Sequence, residues 1–220
     1  VIPVVIAQEP AEFDAKVRQP GLSAIDELIG RPPRIKRPGP RRKKVAETEA
    51  KIAADAFPPF WREALDDMMS AYEQRCAYLA MFIEDTGNPT VDHVIPKSYA
   101  WNKVYEWFNY RLCAGVVNSK KGELLGLVDP VEAKMGWFEL DLPSYRVVRG
   151  TSAPTTQQAK IDATLPLLNL RDCCLQRRRY VEDYRLGPGN KGIDLVYLEH
   201  RAPFIASELR RQGQLVRGDT

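Results

Sequence analysis

The segment from Arg31 to Lys44 reads RPPRIKRPGPRRKK, and it sets the first limit on the fold. Its four prolines lack amide donors and clash with a preceding helical turn. No helix interior or central strand can therefore cross it. It carries eight basic residues and no acid, while the whole chain has a net charge of only +3. The block is thus a local feature, with Arg41, Arg42, Lys43 and Lys44 as candidate phosphate contacts. A solvated, flexible linker is the other reading, and composition leaves both open.

Before the block, two helical turns are expected near Pro10–Val17 and Leu22–Ile29, after a short strand-like start. After it, a helix is expected over Ala46–Ala56. A second follows Pro58–Pro59, where Trp61, Ala64, Leu65, Met68, Met69 and Tyr72 recur at helical spacing as a buried stripe. CAYLAMFI (76–83) and TVDHVIP (90–96) look like two extended segments joined by the turn signal EDTGNP. Tyr105–Cys113 is expected to be an irregular connection and Ala114–Leu125 to hold a short helix. GWFELDLPSYRVVR predicts two short strands around Pro143. Helices are expected over Thr155–Thr164, Leu170–Arg185 and Pro203–Gln212. The fold class is α+β: a mainly helical chain around a small central ββα unit.

With 220 residues the chain can bury a core without disulfide staples. Four cysteines without secreted-scaffold spacing point to free thiols in a reducing cytoplasm. The start lacks the basic region and cleavage site of a signal peptide. No apolar run approaches the roughly 20 residues that span a bilayer.

The chemistry-bearing pattern lies in the middle. One of only two histidines, His93, follows Asp92 directly; Asn109 and Asn118 follow. Hydrolysing a phosphodiester requires a water deprotonated near neutrality, the range in which histidine titrates. It also requires a divalent cation to neutralise charge on the phosphate and the departing oxygen. Mg²⁺ prefers oxygen donors and keeps several waters, and Asp92 and Asn118 offer a carboxylate and an amide oxygen. Neighbours on a strand point to opposite faces. Asp92 and His93 therefore share one site only if the strand ends or distorts there, or if metal and water lie on different sides of the phosphate.

The runs VDHVIPKS, NYRLC and NSKKGE resemble the HNH (ββα-metal) endonuclease motif in its H-N-N variant. The resemblance is sharp over about residues 75–125. It implies that His93 activates the attacking water, Asp92 and Asn118 hold one Mg²⁺ or Mn²⁺, and Asn109 holds the histidine loop. Lys121, with Lys120 as the alternative, would face phosphate, and Lys97 joins the nucleic-acid contacts. The substrate implied is DNA, double-stranded in the first place. Many members carry two CxxC pairs for a structural zinc. Here Leu79 and Val116 stand where partners of Cys76 and Cys113 would be. No structural zinc is expected, with Leu79, Phe82 and Val116 packing in its place. The DP…GWF run (Asp129, Pro130, Gly136, Trp137, Phe138) and the helix ending RRRYVEDY look similar to HNH proteins encoded beside ATPases in Septu-like and retron-associated antiphage systems. That similarity implies an ATPase partner. The expected organisation is an N-terminal extension with its basic linker (1–45), a nuclease domain (46–150) and a C-terminal helical region (151–220).

Other residues carry less. His200 lacks an identifiable partner and reads as a surface or helix-entry residue. Arg177, Arg178 and Arg179 fan out around a helix, so at most two share a direction. Cys173 and Cys174 lack a nearby base, and LGPGNKG (186–192) lacks phosphate-loop spacing. Two further functions stand beside the nuclease: an interaction subunit of a defence complex, silent alone, and a DNA-binding module with a decayed site.

Overall fold

Strand β1 (Pro89–His93) pairs antiparallel with β2 (Tyr110–Ala114), in a register that sets Asp92 opposite Arg111 and His93 opposite Tyr110. The computed structural model describes residues 2–216 and 218–219, with the side chain of Asp85 left aside. Helix α3 (Gly115–Lys121) follows β2 directly and packs on both strands. Seven residues are too few for a helix that stands alone. Val117, wholly buried, ties α3 to the hairpin. Gly115 lies so near Asn88 that an added Cβ would fall 2.8 Å from its side chain. Asn88 itself adopts φ +51°, a left-handed conformation that asparagine tolerates in turns.

The surrounding elements are mostly helical. They are α1 (Gln19–Leu28), α2 (Leu65–Ala71), α4 (Gln158–Leu168), α5 (Arg171–Leu186), α6 (Leu195–Arg201) and α7 (Pro203–Arg211). A second hairpin pairs β3 (Phe138–Asp141) with β4 (Arg146–Arg149). The class is therefore mixed α+β. One cluster of buried apolar side chains runs from Phe13 to Leu209. No described helix is long and apolar enough to cross a membrane.

Several expectations are corrected. Residues 46–56 hold only a single 3₁₀ turn, Glu49–Lys51. Ile52 is the one buried residue in that stretch, so no apolar face exists to fix a helix. Residues 76–83 are not a strand. Cys76 through Met81 are buried, and positive φ at Glu73, Gln74 and Ala80 curls the chain into a compact loop. The partner of β1 is instead Tyr110–Ala114, all but its last residue inside the stretch expected to be irregular. Its hydrophobic continuity reflects burial on both faces and leaves no alternation to read. The two turns expected at the start merge into one helical run from Asp14 to Leu28, and α6 was not expected at all. Val116 is 47% exposed, so it does not pack beside Cys76 and Cys113 as foreseen.

The Pro/Arg block is tied down. Glu27, on the buried face of α1, accepts hydrogen bonds from Arg37 and Arg42, and Asp26 accepts from Arg34. Arg31 reaches Glu49, and Lys44 reaches Glu47. The arm thus follows α1, and Arg42 ends over the Phe60 ring, 5.7 Å from its centre.

Candidate active site

The chain leaves β1 immediately after His93. The Val94 amide donates to the Asn109 carbonyl, and Asn109 then closes the loop with its side chain. Its Oδ1 accepts from the Ile95 amide at 2.9 Å, and its Nδ2 donates to the carbonyls of Ile95 and Lys103 at 3.1 and 3.0 Å. Asn109 is buried and touches no part of the cleft described next, so it acts as a positioning residue. The strand's end answers the geometric question raised by the Asp92–His93 pair. Both residues line one cleft of about 220 Å³, with Asn118, Lys97, Trp61 and Glu123.

His93 is packed edge-on between Trp61 and Tyr110, with ring centres 5.0 and 5.1 Å away. Its Nε2 lies 2.9 Å from the Val104 carbonyl, which also accepts from the Tyr110 hydroxyl at 2.8 Å. A carbonyl only accepts, so Nε2 carries the proton and Nδ1 keeps a free lone pair. Burial, with help from Lys97 and Lys121, pushes the imidazole pKa down to about 4. His93 is therefore neutral at pH 7.

Asp92 is enclosed. Its Oδ2 accepts from the Tyr78 hydroxyl at 2.8 Å, and its Oδ1 faces the Lys121 ammonium at 2.9 Å. Lys121 also donates to the His93 carbonyl at 2.7 Å. Both charged side chains are only 2% exposed. Burial raises the Asp92 pKa, and the adjacent ammonium and phenol oppose that rise. Asn118 donates from Nδ2 to Thr90 Oγ1 at 3.0 Å and, at 3.4 Å, to the Val91 carbonyl. Its Oδ1 accepts from no group among the described residues.

A divalent cation can be tested against this donor set. Asp92 and Asn118 both line the cleft and carry a carboxylate and an amide oxygen, the donor types that suit Mg²⁺ or Mn²⁺. Asp92 Oδ1 retains a second lone pair beside its contact with Lys121. No group of three or more His, Cys, Asp or Glu among the described residues forms a fuller cage.

The expected nucleic-acid contacts divide. Lys121, expected to face phosphate, is buried in its ion pair with Asp92. Its position one turn after Asn118 points it back at the hairpin, because the last turn of α3 packs there. Lys120 is exposed. Lys97 lies half-buried with its Nζ 4.3 Å from the centre of the Trp61 ring. In the arm, Arg42 and Lys44 are ion-paired, while Arg41 and Lys43 are exposed without a carboxylate partner among the described residues. Trp61, Tyr78 and Tyr110 were not foreseen at the site. Trp61 was read as part of a buried stripe, and nothing in its spacing separates a core ring from one that covers a histidine. His200 is exposed and lies 3.8 Å from Glu73. Comparison with protein-family models and with curated proteins found no match.

Proposed function

We propose that the chain is a metal-dependent endonuclease that hydrolyses DNA phosphodiester bonds, with His93 as general base. The observation that carries this reading is one cleft at the end of β1. It brings together the free Nδ1 of a neutral His93, the carboxylate of Asp92 and the open amide oxygen of Asn118. The resemblance of VDHVIPKS, NYRLC and NSKKGE to the HNH motif supports it. So does the order of two strands and a helix around that cleft.

Asp92 and Asn118 are the residues to hold one Mg²⁺ or Mn²⁺. When bound, the ion supplies charge neutralisation at the phosphate and at the departing oxygen. His93 Nδ1 takes the proton of the attacking water. The Val104 carbonyl holds the imidazole in the tautomer that makes this possible and stabilises the imidazolium that forms. The new bond joins water oxygen to phosphorus, the bond to the 3′-oxygen breaks, and that oxygen takes a proton from solvent water. A 5′-phosphate and a 3′-hydroxyl are left. A bound phosphate would push the His93 pKa up, since an adjacent anion favours the cationic form, and a bound dication would oppose that push. Lys97, Lys120, Arg41 and Lys43, all exposed or half-exposed, are the residues that would meet the DNA backbone. A bacterial antiphage system with an ATPase partner, in the cytoplasm, is the setting that the flanking resemblance supports.

The test is nicking of a supercoiled plasmid by the purified chain. Cleavage in Mg²⁺ or Mn²⁺ that stops with EDTA and with His93→Ala supports the reading. A His93→Ala protein that cuts as well as wild type removes His93 as the base.

A second reading has its own observation. Asp92 is neutralised by Lys121, and His93 is covered by Trp61 at 8% exposure. Both favour a closed unit that is silent alone and opens when a partner binds. Little cleavage by the wild-type chain, with robust cleavage by Trp61→Ala, supports that reading.

A further inference from the structure

A cleft of about 480 Å³ lies away from His93, between the β3–β4 turn and the start of α5. Its walls carry Arg146, Arg171 and Arg178, and no carboxylate is among its lining residues. Three guanidinium groups on one small surface match the net charge of the whole chain. Arg178 is partly neutralised by Glu182 at 2.7 Å, one turn along α5. Arg146 and Arg171 are exposed, and neither side chain has a hydrogen bond or ion pair among the described residues.

A fourth guanidinium stands behind the wall. Arg177 is 1% exposed and has no carboxylate within ion-pair distance among the described residues. Its Nη2 donates to the Leu168 carbonyl at 2.6 Å and its Nη1 to the Tyr145 carbonyl at 3.3 Å. Its buried Nε has no hydrogen-bond partner among the described residues. A buried cation without a carboxylate partner is costly. Burial lowers the Arg177 pKa, and Arg146 adds to that. Tyr145 and Cys174, which Arg177 touches, both line the cleft.

The walls are also fixed in place. Asn169 accepts from the Val147 amide at 2.7 Å and donates to the Val147 carbonyl at 2.8 Å, which locks β4 to the entry of α5. Tyr145 holds φ +56°, a conformation uncommon for a bulky residue and one that persists only where surroundings impose it. Strain, rigidity and unmatched positive charge coincide at one place. An anion in the cleft would offset the Arg146 charge that bears on the buried Arg177.

We infer that this cleft binds phosphoryl groups, chiefly those of a nucleic-acid backbone, through Arg146, Arg171 and Arg178. Guanidinium forks match two phosphoryl oxygens at a time, a geometry that favours phosphate over a lone halide. The open cleft with three exposed arginines on its walls suits a strand passing through. A free nucleotide presents the same chemistry and is the second source.

Binding of a labelled DNA duplex of about 20 base pairs, measured by anisotropy in EDTA, tests the inference without any cleavage. The reading of His93 can therefore fail while this one stands. The Arg146→Glu/Arg171→Glu protein, if its thermal melting matches wild type, is expected to bind about tenfold more weakly. Its slope of log affinity against log salt should fall by about two. Arg146→Gln/Arg171→Gln serves if charge reversal unfolds the chain. A Lys134→Glu/Lys191→Glu control, on exposed lysines elsewhere, should lose less than about threefold. Calorimetry with ATP and with pyrophosphate forms the second arm. Loss of their binding in the arginine variant, with duplex affinity unchanged, assigns the cleft to a nucleotide. The inference is overturned if neither probe weakens, if the lysine control weakens as much, or if polyglutamate competes as well as DNA.

Discussion

The Pro/Arg arm and the His93 cleft both rest on a buried carboxylate, yet they treat its partner differently. Glu27 is 2% exposed, and its arginines, Arg37 and Arg42, stay 30% and 25% exposed. Those guanidinium groups keep much of their hydration, so the pairs act as anchors that can be released at modest cost. At the cleft, the Asp92 and Lys121 side chains are each only 2% exposed. Breaking that pair leaves a bare charge in a dry place. The same two charge types thus give a detachable strap in one region and a fixed strut in the other.

The strut can be broken first. Lys121→Met leaves Asp92 buried without its cation and is expected to cost about 3–5 kcal/mol in urea unfolding. Adding Asp92→Asn should restore most of it. A Lys121→Met loss under about 1 kcal/mol would make the pair a bystander.

The histidine beside the strut gives a pH signature of similar size. Its folded pKa of about 4 lies below the ordinary value of 6.5, so the unfolded chain binds a proton that the folded chain refuses. Stability from this group is complete above about pH 6.5 and is lost as pH falls towards 4, by roughly 3 kcal/mol. His93→Gln should flatten that part of the curve. An unchanged acid limb would show that His93 is not buried neutral.

Packing that supports both regions comes next. Gly21 on α1 faces the Tyr105 ring so closely that a Cβ would fall 2.3 Å from it. Tyr105 in turn meets Phe60 and Trp61, which link the arm to the cleft. Gly21→Ala is expected to cost about 1–3 kcal/mol in thermal or urea unfolding. No loss would mean that α1 shifts freely against the site.

The strap gives the smallest effect. Glu27→Gln should leave global unfolding nearly unchanged while trypsin cuts within residues 31–44 about five to ten times faster. Equal cutting rates would mean that something other than Glu27 holds the arm.

The comparison also explains what the sequence made legible. The order Asp92, His93, Asn109, Asn118 located the cleft, because a turn and a short helix keep those positions near one another. The helices α4, α5 and α7 were legible from periodicity and their proline or polar boundaries. Strand β2 was hidden because Tyr110, Leu112 and Cys113 are buried along with their neighbours, which erases alternation. The burial of Lys121 was hidden too, since spacing along a helix gives a side chain's face but not what packs against that face. The arm's composition left strap and phosphate contact open; the carboxylates that hold it, Asp26 and Glu27, belong to a helix that composition reads as ordinary.

Cleavage measured with Trp61→Ala beside wild type, each with and without His93→Ala, tests the central claim most directly. Melting curves first confirm that the variants fold. The account predicts that uncovering the imidazole leaves Mg²⁺- or Mn²⁺-dependent plasmid nicking at least as fast as in wild type, and that His93→Ala abolishes it in both backgrounds. No nicking by either parent, or nicking that survives His93→Ala, would contradict it.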